Sequence, residues 1–286
     1  MPDVEALLRG LIPALLAAGA ALWVDRATEA RGFLPPGHRE PWRRIGALLV
    51  LASIFYLGVF LPVGRIGLAP EPLPEDLSTP GLFLVQGLLV LSLVAWYVLG
   101  YVGAPSAGRS PADLAEGFAR QFGLRAERTW DEIGIGLAAG LLGWMVVIAL
   151  MIATAMTIYL LGGEELLPKA PPEVVPVIAG LPFVVRVAIG VTAGVVEESF
   201  FRGFLQPRVG IPLSTGLFVL AHLSYEQPFM LLGITALSLL FAFLVVWRRN
   251  VLAAIVAHAV FDLVQLLLIV PWVLRHLPDM APALLW

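Results

Sequence analysis

A chain of 286 residues that is 59% hydrophobic and 14% charged, with a mean hydropathy of +0.89, carries more apolar surface than a soluble domain, in which about 25% charge is usual. Lipid must solvate most of it. The net charge of −3 and the lack of a basic run exclude nucleic acid as a partner, and the absence of cysteine excludes disulfides, thiolate metal sites and thiol nucleophiles.

A membrane-crossing helix needs about 20 predominantly apolar residues, and about eight such stretches follow one another along the chain. The first, Val4 to Val24, is interrupted by Glu5 and Arg9. Its leading residues are not basic and no small-residue cleavage site follows, so a span is expected rather than a removable signal peptide. Ile45 to Gly64 and Gly81 to Val102 contain no charge. Next comes a polar connection in which Ser110-Pro111-Ala112-Asp113 reads as a helix N-terminus, with Leu114, Phe118 and Phe122 at four-residue spacing and Gly123 as a stop. This predicts a short amphipathic helix lying on the membrane surface, the alternative being a solvated connector.

Ile133 to Gly163 and Gln227 to Trp247 are again uncharged, whereas Pro182 to Gln206, Ile211 to Tyr225 and Val251 to Leu274 carry isolated ionisable residues. The expected fold is an all-α, polytopic transmembrane helical bundle of about eight spans. Residues 1–104 supply spans one to three, 105–132 the connection, and 133–286 a C-terminal bundle that holds the functional core. Arg186 is expected to snorkel towards a membrane face, and Gly190 and Gly194 to kink the fifth span or let it pack closely.

Arginine and lysine favour cytoplasmic loops, and here they alternate. The first connection holds Arg26, Arg31, Arg39, Arg43 and Arg44, and the third holds Arg109, Arg120, Arg125 and Arg128. Arg202 and Arg208 fall in or near the fifth, and Arg248 and Arg249 in the seventh; the even-numbered connections hold only Arg65 and Lys169. Odd connections are therefore expected in the cytoplasm and both termini outside.

A charge near the bilayer centre costs at least about 2.5–3.5 kcal/mol on insertion scales, which makes each one a candidate for function. Glu197, Glu198 and Arg202 lie on the fifth span, His222 on the sixth, and His258 and Asp262 on the eighth. At 1.5 Å per residue Glu197, His222, His258 and Asp262 fall roughly 12–18 Å from one membrane face, in one layer. Glu198 and Arg202, at i and i+4, are spaced as an ion pair, and His258 and Asp262 repeat that spacing. Glu197 points about 100° away from Glu198 and is left to take a proton. With His222 it is placed to position and deprotonate a water, which suggests a hydrolytic site opening towards the cytoplasm. His38 and His276 sit in connections beside charged residues and are given no role.

Three motifs in this order, Glu197-Glu198-Ser199-Phe200-Phe201-Arg202, Phe218 to His222 and His258 to Asp262, resemble those of the CAAX prenyl endopeptidase family of intramembrane proteases, also called the CPBP or Abi family. The resemblance covers about residues 182–270. It implies an endopeptidase that cleaves membrane-associated, possibly prenylated CAAX-type, substrates: a peptide or lipidated protein within membrane lipid. It further implies that Glu197 and His222 activate the water, that Glu198 with Arg202 braces the site, and that His258 and Asp262 stabilise the oxyanion.

Asp262 departs from the asparagine of many members, and an ionised aspartate donates no hydrogen bond. Either it is protonated, or it orients His258 or a metal. Glu, two His and Asp suit a zinc shell in composition, yet His-Glu-x-x-His is absent, which favours a metal-free, glutamate-dependent mechanism; the cofactor stays open. The competing functions are a proton-coupled transporter, which predicts an internal repeat that the sequence lacks, and a catalytically idle bacteriocin-immunity or scaffold relative. The expected location is a bacterial inner membrane.

Overall fold

In lipid a backbone must satisfy its own N–H and C=O groups, and each apolar stretch does so by coiling. The computed structural model describes residues 4–65, 79–103, 110–167, 174–223 and 228–276. Among these, six helices are long and apolar enough to cross a membrane: Leu8–Ala30, Pro41–Phe60, Leu84–Tyr101, Thr129–Leu160, Met230–Arg248 and Leu252–His276. Two more helical passes complete the expected eight. One is the continuous path Phe183–Glu197, Glu198–Leu205 and Gln206–Val209, whose charges lower its hydropathy, and the other is the short Ile211–Ala221.

In chain order the principal helices are α1 (Val4–Ala30), α2 (Pro41–Phe55), α3 (Leu84–Tyr101), α4 (Pro111–Gln121), α5 (Thr129–Leu160), α6 (Phe183–Glu197), α7 (Ile211–Ala221), α8 (Pro228–Arg248) and α9 (Leu252–Val264). Three π-helical segments prolong α2, α6 and α9, over Tyr56–Phe60, Glu198–Leu205 and Gln265–Ile269. Such segments concentrate at functional sites. The turn into α7 is a single residue, Gly210, at φ +85°, followed by Pro212 in the first turn of the helix.

Helices solvated by lipid gain little from hiding apolar area, so close backbone approach has to hold them together. α9 is gripped from two sides by glycines. A methyl group at Gly136 or Gly140 of α5 would lie 2.8 Å from the Ala253 carbonyl or 2.7 Å from that of Ala257, and one at Gly194 of α6 would lie 2.8 Å from the Ile255 carbonyl and 2.9 Å from the Ala259 amide. The glycines thus serve close packing rather than a kink. They bring α9 against α6 at the level of the buried ionisable groups.

On the other side of α6, a stack of buried rings joins the first half of the chain to the second. Phe55, Trp96, Tyr97 and Phe122 pack with Phe200 and Phe204. Trp96 meets Phe204 edge-on at 5.0 Å between ring centroids. α4 has the expected N-terminus, with a reciprocal capping box between Ser110 and Asp113. Its apolar side is applied to the bundle, where Leu114 and Phe118 pack against the core. The Tyr97 hydroxyl donates to the Leu114 carbonyl at 2.9 Å, and Phe122 just beyond the helix is fully buried. Arg186 differs from expectation, because its Nη1 donates at 3.0 Å to the carbonyl of Leu266 in the last π segment instead of reaching for a membrane face.

Candidate active site

Glu198 and Arg202 lie in the π segment that continues α6, and both are sealed from solvent, at 0% and 1% exposure. Arg202 Nη1 donates to Glu198 Oε1 at 2.9 Å. The same oxygen meets His258 Nδ1 of α9 at 2.8 Å, so one carboxylate ties two spans together. A buried ion pair is stable only when its remaining donors are satisfied. Arg202 Nη2 accordingly donates to the Ser238 hydroxyl of α8 at 2.9 Å, and the guanidinium lies 4.2 Å from the centre of the Phe218 ring.

Glu197, one residue earlier, faces a different neighbour. Its Oε2 lies 4.0 Å from His222 Nε2, and both side chains are 18% exposed. His222 Nδ1 is 2.7 Å from the Phe218 carbonyl, to which it donates, so that in the neutral ring Nε2 presents its lone pair towards Glu197. On α9, His258 Nε2 lies 3.6 Å from Asp262 Oδ2, and the aspartate is 25% exposed. His258 is itself stacked on Phe241, at 5.0 Å between centroids.

All six residues singled out from the sequence therefore gather around one point. Phe218 contacts the rings of both histidines, at 4.5 and 6.2 Å between centroids, so His222 and His258 share one side of the bundle. The arrangement has two layers. Glu198, Arg202 and His258 form its sealed interior, whereas Glu197, His222 and Asp262 are 18 to 25% exposed.

Sequence reasoning missed Ser238 and Phe241. A serine and a phenylalanine in an apolar span carry no signal of their own, and only the packing of α8 against the π segment reveals them. As for metal, the acidic and imidazole groups are committed in pairs, and among the described residues no group of three or more His, Asp and Glu is arranged to hold an ion. No step below passes through a metal.

Residues 179–264, which contain all six, match the family model for type II CAAX prenyl endopeptidase Rce1-like proteins. The chain carries an Rce1-like domain. Neither the search of curated proteins nor the search of solved structures returned a match. The similarity of this segment to a family of CAAX-type intramembrane endopeptidases, together with six helices long and apolar enough to cross a membrane, supports an integral membrane protein of protease type. That segment begins just before α6 and ends with α9, so it comprises the four helices that supply the site and leaves α1 to α5 outside it.

Proposed function

We propose that the protein hydrolyses peptide bonds of prenylated CAAX-type substrates with a water activated jointly by Glu197 and His222. The observation that carries this reading is the 4.0 Å separation of Glu197 Oε2 and His222 Nε2, two largely buried acceptors facing each other from different helices. A water at hydrogen-bonding distance, about 2.8 Å, from both donates a hydrogen bond to each and turns its lone pair towards a third direction, where a scissile carbonyl carbon is received. As the oxygen attacks, Glu197 takes a proton and then passes it to the leaving amine. The carbonyl oxygen becomes an oxyanion opposite, and Nε2–H of a protonated His258, whose other N–H is held by Glu198, donates a hydrogen bond to it without giving up the proton. This answers the difficulty that an ionised aspartate cannot donate: His258 supplies the hydrogen and Asp262, 3.6 Å from Nε2, the countercharge.

The interior layer acts by position. Glu198 accepts from both Arg202 and His258, which fixes the imidazole of α9 relative to the helix that carries Glu197. Removing Arg202 would leave a buried carboxylate uncompensated, at a cost of about 3–5 kcal/mol.

The test uses the full chain in proteoliposomes with a prenylated CAAX-type peptide and its unprenylated counterpart. Wild type is expected to cleave the prenylated peptide, and Glu197→Gln and His222→Ala each to lower the rate about 10²- to 10⁴-fold, the usual contribution of a positioned acid or base. Activity that survives both substitutions, or stoichiometric zinc in the purified active protein, would overturn the mechanism.

A further inference from the structure

Away from the six residues, the turn between α8 and α9 meets the connection between α4 and α5 and encloses a cleft of about 1080 Å³. Arg125, Arg128, Arg248 and Arg249 line it together with Trp130 and Asn250. Three carboxylates also line it, leaving one positive charge in excess, and two of them are already engaged. Glu132 is buried and receives Arg248 through both oxygens, at 2.9 to 3.2 Å, while Asp131 lies 3.7 Å from Arg128. The third, Glu127, is exposed. Arg125 is paired outside the cleft with Glu116. Arg249 is exposed and has no acidic partner within 4.0 Å among the described residues.

The backbone at Arg249 is unusual as well. It is the one non-glycine residue at positive φ among those described, at +59°. This left-handed conformation disfavours any residue with a Cβ, and a helix that ends this way usually places glycine or asparagine there. The turn cannot relax. The Arg249 amide donates to the Val245 carbonyl, the Asn250 side chain bridges the Arg248 carbonyl and the Leu252 amide, and the Val251 amide is tied to the Gly123 carbonyl at 2.9 Å. An arginine retained in a strained and rigid turn, aimed at an open cleft, is a functional feature by that geometry.

The surroundings say what kind of ligand is near. Trp130 is 83% exposed and Trp247 55% exposed, at the ends of two membrane-spanning helices, where tryptophan marks the headgroup level. The abundant anion there is a phosphodiester, and guanidinium groups bind its oxygens in paired fashion. We infer that the cleft binds a phosphate group at the membrane surface, supplied by an anionic phospholipid headgroup, with Arg249 as its principal contact and Arg125 and Arg128 beside it.

Arg249→Gly tests this cleanly, because glycine removes the charge while relieving the backbone. The full chain would be placed in nanodiscs of phosphatidylcholine, of phosphatidylcholine with phosphatidylglycerol, and of phosphatidylcholine with added inorganic phosphate. Melting temperature and lipid retained in native mass spectra would be read in each. In wild type, phosphatidylglycerol is expected to raise the melting temperature and remain bound. Arg249→Gly is expected to melt higher than wild type in phosphatidylcholine alone, yet to bind phosphatidylglycerol about fivefold more weakly, the factor that one basic residue contributes at a membrane surface. If free phosphate reproduces the protection and the variant loses it, the site stands with the soluble anion as its source. An equal response to phosphatidylglycerol in wild type and variant, or no response in wild type, would overturn the inference.

Discussion

Arg202 reaches Ser238 with its second nitrogen, at 2.9 Å from the hydroxyl and 3.4 Å from the carbonyl of the same residue. Ser238 touches no reacting atom, so it is a positioning residue acting through Arg202, Glu198 and His258. Ser238→Ala is expected to lower kcat about tenfold with KM unchanged, since a hydrogen bond to a charged group is worth about 1.5–3 kcal/mol. Ser238→Thr, which keeps the hydroxyl, should restore the rate. An equal loss in both variants would reduce Ser238 to packing. His38 shows a different single-residue effect. It lies outside the spans, is 1% exposed and packs edge-on against Trp96 at 5.1 Å between centroids. Burial pushes its imidazole down from the ordinary 6.5 to about 4, against the opposing pull of Asp25 and the Trp96 carbonyl. The folded chain then binds fewer protons than the unfolded one between those values, so the contribution of neutral His38 is complete above pH 6.5 and is lost as pH falls towards 4. Over that range the melting temperature of wild type is expected to fall further than that of His38→Phe; parallel curves would count against it.

At the level of elements, the site depends on how closely α9 can approach α5 and α6. Gly194→Ala would push the Ile255 carbonyl and the Ala259 amide away from α6, and with them His258, which lies between the two contacts and directly before the second. Overpacking of this kind costs about 1–3 kcal/mol, so both a lower melting temperature and lower activity are expected. Gly134→Ala, where a methyl group would meet nothing within 4 Å, is the matched control and should change neither. If Gly194→Ala behaves like Gly134→Ala, the glycine contact does not set the geometry. The π segment Glu198–Leu205 matters at this scale too. It carries Phe200, Phe201 and Phe204 towards the ring stack and Arg202 towards α8, so one stretch of chain serves the core and the site together.

In the molecule as a whole, the helices outside the Rce1-like segment are not a separate body. Phe55 of α2, Trp96 of α3 and Phe122 after α4 pack in one cluster with Phe200 and Phe204, and a methyl group at Gly203 would strike the Phe122 carbonyl. Orientation is the global property that the arginine distribution predicts. With the odd-numbered connections in the cytoplasm, a reporter fused after Trp286 is expected to be labelled from outside the cell. Labelling only from the cytoplasm would reverse the orientation, and the side from which the proposed site opens would change with it.

Composition alone determined that the chain lives in lipid, because too few polar residues exist to cover an apolar surface of this size. Helical periodicity then placed the pairs Glu198–Arg202 and His258–Asp262, since residues four apart on a helix share a face whatever the rest of the molecule does. The gathering of six ionisable residues in one layer was legible for the same reason: each is costly in hydrocarbon and stands out against an apolar background. What the sequence left open depends on contacts between helices. Local periodicity does not say which neighbour an α4 face will meet, so the docking of this helix on Tyr97 was not legible. Nor does spacing along α9 reveal that His258 binds Glu198 more closely than its own Asp262, at 2.8 against 3.6 Å. Only the glycine-mediated approach of α9 to α6 decides that. Six ionisable residues thereby become two layers, a sealed ion-paired interior and a less buried group beside it.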